Sequence, residues 1–137
     1  MSFVGLYSVR AFVPDDRNFI LSTFVQGLYH GDSWFSKMPK SVFIENYKPV
    51  IETVVDNPNN AIQIACLKED PSVIIGYSIL SGDFQTIHWV YVKKNWRNKG
   101  VGRSLVPQHP STVSHLNTLG ESLLSKFTNV IFNPFKL

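Results

Sequence analysis

Cysteine is nearly absent: Cys66 is the only one in 137 residues. A single thiol excludes an internal disulfide and a thiolate metal cluster. Cys66 lies in the apolar stretch Ala61–Leu67, where a small buried hydrophobe is the simpler reading and a reactive thiol the alternative. Long apolar runs are also missing, and none approaches the roughly 18–20 residues that cross a bilayer. The start, Met1-Ser2-Phe3-Val4-Gly5, has neither a basic opening nor a following apolar stretch, so no secretory leader is expected. The four histidines show no metal-ligand spacing, and no metal is expected. These absences fit a cytoplasmic protein with one domain over residues 1–137, since the length suits a single core.

Acidic charge is scarce in the second half. Through Asp83 there are nine acids against six Lys or Arg; from Phe84 onward there are seven Lys or Arg and one acid, Glu121. Such a bias suits an anionic partner, whether a phosphorylated cofactor or DNA. Spacing has to decide between them.

Alternation at Tyr7–Phe12 predicts a strand. Pro14-Asp15-Asp16 then opens a helix carrying Phe19, Ile20, Thr23, Phe24 and Leu28 at helical spacing. Residues 29–40 read as an aromatic-rich loop, and a second helix runs from Ser41 to about Val55, with Val42, Phe43, Tyr47 and Ile51 on its apolar side. Asp56–Asn60 is a turn cluster. Strands follow at Ile62–Leu67, Ser72–Leu80 and Gln85–Val92. After the glycine turn at 100–102 come a helix of nearly two turns, Val101–Val106, stopped by Pro107, a strand at Ser111–Leu116, a helix at Asn117–Phe127 and a strand at Val130–Phe135. The order β-α-α-β-β-β-α-β-α-β describes an α/β domain whose later half is a β-α-β unit.

The segment from Val90 to Arg103 sets a strand, a basic glycine turn and a helix start in succession. A helix N-terminus leaves N–H groups unpaired and carries about half a positive charge. Glycines let that backbone curl around an oxygen cluster, while Lys93, Lys94, Lys99 and Arg103 add charge at the rim. A P-loop is excluded because Arg103-Ser104 follows Gly102. A dinucleotide turn would need a third glycine. The remaining alternative is a surface turn with solvated lysines.

In these residues the chain resembles the GNAT superfamily of N-acetyltransferases. That family's hydrophobic-x-Val strand and Arg/Gln-x-x-Gly-x-Gly/Ala turn match Val90-x-Val92 and Arg97-x-x-Gly100-x-Gly102. Pro14-Asp15-Asp16, Ile74-Ile75-Gly76-Tyr77 and Asn117-x-x-Gly120-x-x-Leu123-Leu124 resemble its other segments in order. The resemblance implies a mixed sheet with antiparallel N-terminal strands, a C-terminal β-α-β unit and helices on both faces. It also implies binding of acetyl-CoA or another acyl-CoA. Val90, Tyr91 and Val92 would line the pantetheine arm; Arg97, Asn98, Lys99, Gly100, Val101, Gly102 and Arg103 would hold the pyrophosphate. The thioester would lie in a split of the sheet after the fourth strand, with Asn117 near the cofactor's amide arm.

Acyl transfer to an amine of a small molecule or a protein needs a base and an acid. His88, two residues before Val90, suits the base by its near-neutral pKa. Backbone N–H groups at Val90 or Val92 suit polarisation of the thioester carbonyl. The family's usual tyrosine acid is replaced by Leu124, which leaves Ser114 and His115 as candidates for that role. His30, Trp34 and Phe35 are candidates for the acceptor pocket, and His109 reads as a loop residue. The missing tyrosine also admits a GNAT-like protein that only binds, such as a virion component. Five of the basic residues surround the proposed phosphate turn, which lessens the case for a DNA-base-modifying enzyme on this fold. The short helix and the absence of a further strand are similar to compact bacteriophage members of the family. A homodimer would cover the sheet edge left exposed.

Overall fold

The computed structural model describes residues 5–115 and 130–137. Six strands form one sheet in sequence order: β1 Tyr7–Ala11, β2 Ala61–Leu67, β3 Ile74–Leu80, β4 Thr86–Val92, β5 Thr112–Val113 and β6 Ile131–Phe132. The first four run antiparallel, whereas β5 lies parallel to β4 and β6 parallel to β5. Helices α1 (Arg17–Gly31), α2 (Lys40–Asp56) and α3 (Val101–Ser104), with 3-10 turns at Pro14–Asp16, Phe35–Lys37 and Lys94–Trp96, complete the described elements. This is the expected α/β architecture, with an antiparallel meander followed by parallel strands.

Both faces of the sheet are covered. Helices α1 and α2 pack Ile20, Phe24, Leu28, Phe43, Ile51 and Val54 against Ile64, Tyr77, Ile79 and Trp89. Phe24 stacks on Trp89 with ring centres 4.5 Å apart. Across the sheet, Val101 and Leu105 pack on Ala65, Ile75 and Val92. The Ser78 hydroxyl donates to the Leu105 carbonyl at 2.6 Å, which fixes the end of α3 to β3. Cys66 is buried in the α1/α2 core, as the apolar reading requires.

Several element bounds differ from the sequence expectation. Helix α3 is one turn rather than nearly two, because Pro107 disfavours helical geometry at the residue before it and the Leu105 N–H closes the turn on Gly102 O. The expected loop at 29–40 is shorter: α1 continues to Gly31 and a single 3-10 turn, Phe35–Lys37, follows. Strands β5 and β6 are two residues each. The segment Asn117–Phe127, read as a helix, lies outside the described residues.

A clamp missed by sequence reading joins β1 to α1. Arg10 donates from Nη1 and Nη2 to both Asp16 oxygens at 2.8 and 2.9 Å, and the Val13 N–H donates to Asp16 Oδ2 at 2.9 Å. Asp16 is buried, and Arg10 holds its carboxyl below the usual range. Asp16→Ala removes a charge partner from the less buried Arg10. It is expected to lower stability by about 2 kcal/mol, readable in denaturant melts at pH 7.

Candidate functional site

Strand β4 carries two features that set the site. The first is a bulge: Ile79 pairs with Trp89 and Leu80 with Ile87, so His88 is the extra residue on β4. A bulge bends the strand and re-aims the extra side chain. The second is the early end of the β4–β5 ladder. The strands pair at Thr86↔Thr112 and Ile87↔Val113, and the Ser114 N–H still donates to Ile87 O at 3.0 Å. No β4–β5 register pair is formed beyond Ile87 among the described residues.

At the bulge the three residues proposed for proton transfer come together. His88 Nδ1 lies 2.8 Å from Ser114 Oγ, and Ser114 Oγ lies 3.0 Å from His115 Nδ1. A fourth member joins them, since His115 Nε2 is 2.7 Å from the Tyr47 hydroxyl. His88, Ser114 and His115 are buried, while Tyr47 is half-buried. Burial lowers the His88 pKa. Burial first, then the neighbouring His88, brings His115 down to about 4. Both imidazoles are therefore neutral at pH 7. Sequence reading placed Tyr47 on the apolar side of α2 and saw no link to His115, 68 residues away.

His88 also forms part of the wall of a cleft of about 330 Å³. The cleft lies among Asn57, Asn59 and Asn60 after α2, the Ser81–Asp83 turn, and Lys136. It is a polar approach to a buried imidazole. Of the early-loop candidates, Phe35 packs on Phe43 and Tyr47 at ring separations of 5.0 and 4.8 Å. That makes it part of the α1/α2 core. Trp34 is 67% exposed, and His30 lies in the last turn of α1.

At the other end of β4, the chain curls through two positive backbone angles, φ 61° at Asn98 and 85° at Gly100, into α3. The first helical bond returns from the Ser104 N–H to Gly100 O at 3.2 Å. The N–H groups at 101–103 thus belong to the turn that lacks intrahelical acceptors. A Cβ added at Gly100 meets no atom within 4 Å, so the turn opens onto free space. Lys94, Arg97, Asn98, Lys99 and Arg103 are exposed around it, and Lys93 is half-buried. Lys93 Nζ also sits 5.6 Å from the Phe19 ring centre. Arg97 Nε donates to Val92 O at 2.8 Å, tying the turn back to the strand. Val90 and Val92 are buried, and the Tyr91 ring lies beside Tyr77 and Phe19.

The left-handed angle at Gly100 makes it costly to replace even where space is free. Gly100→Ala is expected to cost about 1 kcal/mol in a thermal melt. Asn117 and Leu124 lie outside the described residues. Among the described residues no three His, Cys, Asp or Glu side chains converge as metal ligands, and no helix is long and apolar enough to cross a membrane.

No family model and no curated protein matches the chain. Solved structures do. A Pyrococcus furiosus protein assigned as an acetyl transferase superposes with a TM-score of 0.56 at 16% identity, over 72% of this chain and 68% of its own. The histone acetyltransferase HPA2 and related acetyltransferase from Corynebacterium glutamicum gives 0.52 at 14% identity, over 72% and 67%. The GCN5-related N-acetyltransferase from Rhodopseudomonas palustris gives 0.50 at 20% identity, over 73% of this chain and 61% of its own. At such identities the likeness establishes the fold, a mixed sheet of the GNAT acetyltransferase type.

Proposed function

We propose that this chain is an acyl-CoA-dependent N-acyltransferase. It moves an acetyl or similar acyl group to an amine of a small molecule or a protein. The observation that carries this reading is one strand, β4, with a buried histidine chain at its bulge and a basic anion turn at its end. Either feature alone is common; their union on a strand whose neighbour leaves it after Ile87 suits an acyl-CoA.

The turn fits a pyrophosphate by its open face and its basic rim. Backbone N–H groups from about Asn98 to Arg103 hold the phosphates, as anions are held at helix starts. Arg97 fastens the turn to β4 through Val92 O, and the β4 edge of Val90, Tyr91 and Val92 takes the pantetheine arm. The resemblance adds Asn117 near the amide arm. Bound acyl-CoA supplies an acyl group already activated as a thioester.

His88 takes the proton that the amine loses as the amide forms. The departing thiol gains one, so the balance returns through His88 and the Ser114–His115 pair behind it. This arrangement serves in place of the tyrosine acid. Its neutral imidazole at pH 7 can accept a proton at once. The cleft beside Asn57–Asn60 and Asp83 admits the amine.

Amine-dependent release of free CoA thiol, followed over a panel of amines with acetyl-CoA, tests the reading. Saturable release coupled to amide formation is the expected result. Release that never depends on any amine, or no release, would reject it.

A further inference from the structure

On the acyl-transfer reading, the acceptor enters by the cleft that His88 lines, and the wall of that cleft defines the acceptor's chemistry. Its three asparagines are tied down in complementary ways. Asn57 Oδ1 accepts from the Asn59 N–H at 2.9 Å, which leaves the Asn57 amide hydrogens as donors. Asn60 Nδ2 donates to Val54 O at 2.9 Å, which leaves Asn60 Oδ1 as an acceptor. The Asn59 side chain makes no hydrogen bond among the described residues and keeps both functions. Asp83 is fixed through Oδ1, which accepts from the Ser81 hydroxyl at 2.6 Å and the Gln85 N–H at 3.0 Å. Its second oxygen has no partner among the described residues, and neither has the Lys136 ammonium. All five residues line the one cleft with His88, and Leu137 supplies its only purely hydrocarbon side chain among the described residues.

Donors and acceptors are thus interleaved around a space of about 330 Å³, the room of roughly 11 water molecules. An amine on a hydrocarbon arm, such as a lysine side chain or an arylamine, would strip water from these groups and return no bond. A hydroxyl both donates and accepts, so a ring with hydroxyls on neighbouring carbons replaces each bond that water gives up. The free carboxylate oxygen takes an O–H of such a ring, and the amide and ammonium hydrogens go to its oxygens. An α-amino acid would also use Asp83 and Lys136, but a carboxylate that holds an ammonium keeps it protonated, without the lone pair that attacks a thioester. We infer that the acceptor is a small polyhydroxylated amine, an amino sugar of one ring, which Asn59 and Asp83 select through its hydroxyls while its amino group is left for His88.

Acyl transfer from acetyl-CoA, compared for D-glucosamine, tyramine, serine and a lysine-bearing peptide, tests this. Glucosamine is expected to exceed the others by about 100-fold or more in kcat/KM, because a site built for hydroxyls rejects amines that lack them. Asn59→Ala removes an exposed side chain that holds nothing else in place. It should raise KM for glucosamine about 5- to 10-fold, with kcat and the KM for acetyl-CoA within about twofold. Asp83→Asn keeps an oxygen for Ser81 and Gln85 and should act in the same direction. Faster reaction with tyramine, serine or the peptide, or an unchanged glucosamine KM in Asn59→Ala, would overturn the inference and leave the acyl-transfer reading standing. If no amine is acylated, that reading falls instead, and binding decides the ligand class. Saturation-transfer NMR with glucosamine must then show contact that Asn59→Ala weakens; no contact would overturn the inference.

Discussion

His88→Ala is expected to slow acyl transfer by about 10²- to 10⁴-fold while leaving acetyl-CoA affinity within about twofold. The separation follows from position. His88 stands at the bulge of β4, with Nδ1 committed to Ser114, whereas the phosphate turn starts beyond Val92 and is held by Arg97 and by its own angles. A loss confined to kcat is the mark of a group that acts in the transition state. His88→Gln keeps a polar side chain near Ser114 without a proton acceptor of suitable pKa, and should be nearly as slow. Steady-state kinetics with a saturating amine, paired with equilibrium binding, checks both halves. Equal loss of kcat and cofactor binding would mean that His88 only supports the strand.

Acid should unfold the protein earlier than its carboxylates alone require. His115 has a folded pKa of about 4 against about 6.5 for a free imidazole, and His88 is shifted in the same direction. Above pH 6.5 both states of the chain hold a neutral imidazole, and pH has no effect through this group. Below it the unfolded chain binds a proton that the folded chain refuses, so stability falls as the pH drops from 6.5 towards 4. For His115 alone the loss is about 3 kcal/mol, with His88 adding to it. That is a large share of the roughly 5–15 kcal/mol by which domains are stable. Asp16, whose pKa is lowered by Arg10, contributes in a lower window, below about pH 4. Guanidinium midpoints measured from pH 7.5 to 4.5 should fall steadily, and His115→Asn should flatten the curve. A midpoint constant over that range would contradict the burial of these rings.

The legible parts of the fold were those with local periodicity. Strands β2, β3 and β4 are dense in β-branched residues, and α1 and α2 repeat their apolar residues at helical spacing, so each was readable within a residue or two, save the end of α1, which runs three residues into the expected loop at 29–40. The turn at 98–102, which we propose as the phosphate site, was readable as a turn because its glycines and basic residues are contiguous. What escaped depends on pairing. Nothing in Thr86–Val92 marks His88 as the extra residue, because a bulge is defined by the register against β3. Tyr47 looks like one more apolar-face aromatic until the segment just after β5 brings His115 beside α2. Arg10 and Asp16 are near in sequence, yet the pair forms only because β1 and α1 meet at the Pro14 turn. Here the one available signal was an arginine on a strand six residues before an acidic helix start. Phe35 was read as a pocket aromatic because its packing on Phe43 requires α2 to fold back along α1.

Isothermal titration with acetyl-CoA tests the central claim most directly. The account predicts one molecule bound per chain with micromolar affinity, weakened by added salt because the turn acts through charge, and weakened further in Arg103→Glu. No heat of binding at millimolar acetyl-CoA would contradict it.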